Sequence, residues 1–209
     1  MFNWISQNSD TINVVLNVGM LIVWVAYLQL FLRSYRRTTR PKIVINRGGN
    51  SSLDSRCLIS NMSSDPIYIE SIRASIEAGG ERWSCSVTSP LMRDNDPMPS
   101  DPKLLTHQGP LHGGAYFDIG SFRDLLHRVL DCQPGDLGDR IEELAHPGVV
   151  EVEVIADYGS EDLPVGAQRR FDINRENGIR LIPQRTDTRQ IRGRFERLRI
   201  AHRLNGETG

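Results

Sequence analysis

The chain has 209 residues, of which 39% are hydrophobic and 7% aromatic, and its 25 basic and 26 acidic side chains leave a net charge of −1. That length holds one ordinary domain plus a short extra element, and the composition excludes both a polytopic transporter and a fully disordered chain. The even charge balance gives no footprint of a nucleic-acid binder.

The balance hides a strong segregation. Asp10 and Arg33 bracket 22 residues without a formal charge, TINVVLNVGMLIVWVAYLQLFL. As a helix rising about 1.5 Å per residue, this run is about 33 Å long, enough for a hydrocarbon core about 30 Å thick. One transmembrane helix is therefore predicted over 12–32, preceded by a short extracytoplasmic tail over 1–11. No Lys or Arg precedes the run and no A-x-A-like site follows it, so a cleaved signal peptide is not expected.

Arg33, Arg36, Arg37, Arg40 and Lys42 make a basic linker over 33–42, and the positive-inside rule then puts the N-terminus outside and the following domain in the cytoplasm. Asn13 and Asn17 share a helix face that Met20 and Trp24 continue, which suits a partner transmembrane helix from another subunit or a second copy. Hydration of both amides near the outer headgroups is the equal alternative. The excess of Arg over Lys, 23 to 2, hints at nucleotide composition bias, and a bacterial inner membrane is the expected location.

From residue 43 to 184 the pattern changes to short apolar alternations divided by Gly, Asn, Ser, Asp and Pro clusters, which reads as strands joined by turns. KIVIN, RCLISN, IYIESIRASIE, WSCSV, AYFDI, VVEVEVIADY, RRFDIN and GIRLI are the candidates, with Asn177 and Gly178 as a hairpin turn before the last. In IYIESIRASIE the apolar parity shifts between Ile69 and Ile72, as a β-bulge requires. Trp83, Cys85 and Val87 share a face, as do Ala115, Phe117 and Ile119. Such a set predicts an all-β domain, an immunoglobulin-like antiparallel sandwich, with a partly open barrel as the alternative. A helical insertion is expected near 121–146. Ser121 and Asp124 offer its cap, Phe122, Leu125, Leu126, Val129 and Leu130 recur at helical spacing, and a second short helix covers Asp139 to Ala145. The loop over 93–103 reads as an exposed connection.

This domain is acidic, with 13 basic and 22 acidic residues, whereas residues 185–209 carry seven basic and three acidic ones. If that last segment is a helix, Ile191, Phe195, Leu198 and His202 form a stripe among arginines, and Gly193 weakens it by about 1 kcal/mol. Arg36, Arg37, Arg40, Arg189, Arg192, Arg197 and Arg199 are the residues expected to meet lipid headgroups or a partner protein.

No catalytic or cofactor motif is found: G-x-S-x-G, G-x-x-x-x-G-K and G-x-G-x-x-G are all absent. His107, His112 and Asp118 are weak metal candidates, because His-x4-His is not a close-spaced zinc pair and no C-x-x-C exists. The three cysteines, Cys57, Cys85 and Cys132, are expected as reduced thiols in a cytoplasmic domain, with Cys57 and Cys85 in the core. Glu151 and Glu153 fall on a strand's outward face, where solvation is the default. The expected function is a non-enzymatic, membrane-anchored interaction module or accessory subunit of a membrane complex. Its partners would be lipid and a membrane protein or a second copy, with no nucleic acid, no cofactor and no small-molecule substrate identified. A ligand- or metal-binding sensor or enzyme domain with a pocket beside the helical insertion, or a homo-oligomeric membrane scaffold, are the alternatives.

Overall fold

The computed structural model describes residues 9–38, 40–89, 106–133, 148–159, 161–174 and 179–207. The chain divides into two units, Met1–Arg40 and Pro41–Gly209. The first is helix α1, Ser9–Thr38, whose stretch Asp10–Tyr35 has a mean hydropathy of 2.1 and no residue buried. Its apolar side chains face outward all round, so it is long and apolar enough to cross a membrane. Asn13 and Asn17 are exposed on it, as are Met20 and Trp24, and their spacing sets them on one face.

The second unit is mostly β. Strands β1 (Ile43–Gly48), β2 (Arg56–Asn61) and β6 (Tyr116–Ser121) form one antiparallel sheet in the order β1-β2-β6. The larger sheet runs β10-β8-β7-β3-β4, from β3 (Ile67–Ala78), β4 (Glu81–Ser86), β7 (Gly148–Tyr158), β8 (Val165–Asn174) and β10 (Arg189–Ile191). Two short strands extend it, β5 (Gly109–Leu111) on β3 and β9 (Arg180–Pro183) on β8. Between β3 and β4 the chain turns through Gly79 and Gly80, both at positive φ, as a two-residue hairpin of this kind needs.

Alternation along the strands sends one face of each sheet into a shared core. Ile45, Ile59, Ile72, Ile76, Val152 and Phe171 are among its fully buried members. Helix α2 (Phe122–Asp131) completes it with Phe122, Leu125, Leu126, Val129 and Leu130, each without exposure. Ser121 caps this helix through a reciprocal bond with Asp124, as the sequence pattern indicates. The ring of Phe122 meets that of Phe171 edge-on, centroids 4.9 Å apart. The expected second helix over 139–145, the loop over 93–103 and the Asn177–Gly178 turn lie outside the described residues, although β8 and β9 pair as a hairpin would.

Side chains close the gap between β1 and the larger sheet. Gln190 accepts from the Ile43 amide at 3.1 Å and donates to its carbonyl at 2.6 Å, and Thr188 Oγ1 accepts from the Ile45 amide at 3.0 Å. Arg169 Nη1 donates to the Ile45 carbonyl at 2.6 Å, so the β1 edge is not left open to other strands. These contacts also decide how much of residues 185–209 is helical. Held to β1, residues 189–191 stay extended as β10, and helix α3 begins only at Arg194, running to Glu207.

Candidate functional site

Helix α3 lies across the outer face of the larger sheet. Ile200 and Leu204 pack there with Ile155 and Ile191. The close approach depends on Gly166, where an added Cβ would come within 3.0 Å of Ile191 Cδ1 and 3.1 Å of Ile200 Cδ1. Arg203 reaches Glu153 at 2.6 Å, and Arg197 reaches Glu161 at 3.0 Å and the Pro164 carbonyl at 2.9 Å. A further bond runs from Arg197 to the carbonyl of Leu163, and the side chain is only 13% exposed. Arg197 is therefore a clamp inside the domain. Arg189 is paired with Glu196.

The stripe expected from spacing does not face the sheet. Ile191 belongs to β10, while Phe195 is 81% exposed and Leu198 45% exposed. With Arg199 and His202 they border a surface groove of about 450 Å³. The helix has two apolar faces; burial chose the one bearing Ile200 and Leu204, because Arg197 and Arg203 on that side find acidic partners. Arg194 and Arg199 are exposed and have no carboxylate partner among the described residues. Arg192 is exposed too and touches the carbonyl of Pro41 at 3.5 Å. Arg40 is exposed; the side chains of Arg36 and Arg37 lie outside the described ones.

A second feature follows from the bulge in β3. The register against β7 shifts between Ile69 and Ser71, so Ile69 faces Ala156 and Ser71 faces Ile155 with Glu70 as the extra residue. Glu70 and Ser71 thereby both line a cleft of about 770 Å³ on the outer face, which Asp157 of β7 and Ala201 and Leu204 of α3 also line. Partial burial, then the charge and hydrogen bond of Asp157, raise the Glu70 carboxyl above its ordinary range.

The structure brings His107, His112 and Asp118 around one pocket of about 450 Å³ beside β5 and β6. They are not arranged as ligands. His107 stacks on Phe117 with centroids 5.8 Å apart, and burial, helped by the Arg128 charge, lowers its basicity. Asp118 already accepts from Arg56 at 2.5 Å and from the Gly120 amide at 2.9 Å. Among the described residues no three His, Cys, Asp or Glu side chains converge to hold a metal ion.

Cys85 and Cys132 are joined by a disulfide, Cα atoms 6.1 Å apart, which corrects the expectation of three reduced thiols. The bond ties the end of β4 to the C-cap of α2. Cys57 stays free and fully buried, and that burial pushes its thiol pKa far up. Glu151 and Glu153 are engaged rather than merely solvated: Glu151 meets Arg82 at 2.7 Å and Arg170 at 3.4 Å.

Sequence reasoning missed Glu70, Ser71 and Asp157 as neighbours, although the parity shift in IYIESIRASIE pointed at the bulge that joins them. It also missed Arg194. Compared with known proteins, the chain matches no family model, no curated protein and no solved structure.

Proposed function

We propose that the chain is a single-pass membrane protein, N-terminus outside, whose cytoplasmic β domain serves as an interaction module or accessory subunit of a membrane complex. The observation that supports this best is an exposed apolar helix, long enough to span a bilayer, in the same chain as a β domain whose helix α3 carries exposed Phe195 beside exposed Arg194 and Arg199. Five cations follow the apolar run and none precedes it, which favours the cytoplasmic side. In that compartment the Cys85–Cys132 bond forms and breaks with the redox state of the cell.

In this reading α1 confines the domain to the bilayer and raises its effective concentration near membrane partners. Arg192, Arg194 and Arg199 face anionic headgroups, and Phe195 and Leu198 enter the boundary between headgroups and acyl chains. The Asn13, Asn17, Met20 and Trp24 face is the one offered to a partner helix. Two antiparallel sheets closing on one core support an immunoglobulin-like sandwich as the architecture.

The test is mild-detergent purification of the tagged full chain at native expression, followed by mass spectrometry. A stoichiometric membrane protein should co-purify. Recovery of the chain alone, or only as a homo-oligomer, would overturn the accessory-subunit reading.

A further inference from the structure

The cleft at the β3 bulge has a chemistry that neither the anchor nor the outer surface of α3 uses. Glu70, Asp157 and Asp162 line it, and among the described residues no basic side chain does. Hydroxyls of Ser71, Ser86, Thr88, Ser89 and Thr106 surround these carboxylates. Thr88 is committed to structure, since its Oγ1 accepts from the Ile72 amide at 3.0 Å, and Gln108 Nε2 donates to the Glu70 carbonyl at 2.8 Å, leaving Gln108 Oε1 as an acceptor.

Ser71 supplies an independent observation. It is only 7% exposed and lines the cleft, yet among the described residues its hydroxyl has no hydrogen-bond partner. A hydroxyl that opens onto a cleft from a largely buried residue is placed to meet a ligand. The bulge that holds it there spends an unpaired residue of an otherwise regular long strand to aim Glu70 and Ser71 the same way.

The carboxylates and hydroxyl oxygens of the described lining call for a donor-rich, positively charged ligand. Among the described residues no three potential metal ligands converge, and no aromatic ring lines the cleft to stack on a sugar. Its other wall, Pro164, Ala201 and Leu204, is apolar and suits methylene groups, and about 770 Å³ is far more than one ion needs. We infer that this cleft binds an aliphatic polyamine cation, whose ammonium groups are received by the Glu70 and Asp157 carboxylates and the Ser71 hydroxyl. This site does not depend on the membrane-docking reading, because it uses the opposite side of α3.

The experiment is isothermal titration of the full chain in a maltoside detergent with spermidine, at fixed ionic strength, beside magnesium chloride and Nα-acetyl-lysine amide. Saturable binding of one spermidine per chain is expected, at least tenfold weaker in Asp157→Asn and several-fold weaker in Ser71→Ala. Absence of saturable heat, equal affinity in wild type and Asp157→Asn, or equally tight binding of magnesium would overturn the site. Binding of the lysine amide as tight as that of spermidine would overturn the polyamine assignment in favour of a lysyl side chain. If Asp157→Asn does not fold, Asp162→Asn, on the exposed approach to β8, carries the same comparison.

Discussion

Replacing Arg192, Arg194 and Arg199 by Ser removes the three exposed cations around Phe195 without touching Arg197 or Arg203, which hold α3 to the domain. At about 1 kcal/mol for each cation near an anionic leaflet, the loss is about 3 kcal/mol, or about a hundredfold in membrane affinity. Phe195 is 81% exposed, and burying such a ring is worth about 2 kcal/mol, so Phe195→Ser should cost about thirtyfold. The two losses differ in kind. The arginine part should fade at 1 M salt, where the screening length falls to about 3 Å, and the phenylalanine part should persist. Residues 41–209, expressed without α1, can be floated with vesicles of phosphatidylcholine alone or mixed with phosphatidylglycerol. Binding should need the anionic lipid, and both variants should lose it. If wild type and both variants float equally, or if binding ignores lipid charge, the assignment of this surface is wrong.

Breaking the Cys85–Cys132 bond, which spans a sequence separation of 47, should lower stability by about 4 kcal/mol on the loop-entropy account, read as a fall in the melting temperature on adding reductant. Alkylation of intact cells gives the matching test of orientation: Cys85 and Cys132 should label in resting cells and become protected after oxidant treatment. Permanent protection would place the domain outside. Cys57 should label only after unfolding, since it is fully buried. Ile200→Ala should cost about 2 to 4 kcal/mol and detach α3, seen as faster amide exchange over 194–204, because the side chain is 5% exposed against Ile155 and Ile191. Glu70 has its carboxyl pKa raised in the fold, so the native state holds a proton that the unfolded chain releases, and this contribution to stability is lost as pH rises above the ordinary glutamate range. Glu70→Gln should therefore melt higher than wild type at neutral pH, with the gap closing in acid.

Much of the fold was legible because it rests on local rules. Strand parity placed Val150, Val152 and Val154 in the core, Ser121 and Asp124 marked the start of α2, and the parity break after Ile69 marked the bulge. What was not legible depends on distant partners. Residues 189–191 carry no strong strand signal and become β10 because Thr188 and Gln190 bond to β1, about 140 residues away in sequence. The rotation of α3 was misjudged because Phe195 and Leu198 are as apolar as Ile200 and Leu204, and the choice fell to where Arg197 and Arg203 meet Glu161 and Glu153. Cys132 sits on no apolar strand, and its bond to Cys85 comes from the packing of α2 against the larger sheet. The cleft was hidden for the same reason: Asp157 lies 87 positions after Glu70 and reaches it only through β3–β7 pairing.

The most direct test of the account is a nitroxide label placed at Phe195→Cys in the full chain, reconstituted in nanodiscs containing anionic lipid and compared with one at Tyr116→Cys, a site 67% exposed on β6. Under oxidising conditions Cys85 and Cys132 are bonded to each other and Cys57 is buried, so the label is confined to the introduced thiol. The account predicts that the label at 195 collides more with lipid-soluble oxygen than with an aqueous nickel complex, and that the label at 116 does the reverse. Water-like collision rates at both positions would contradict it.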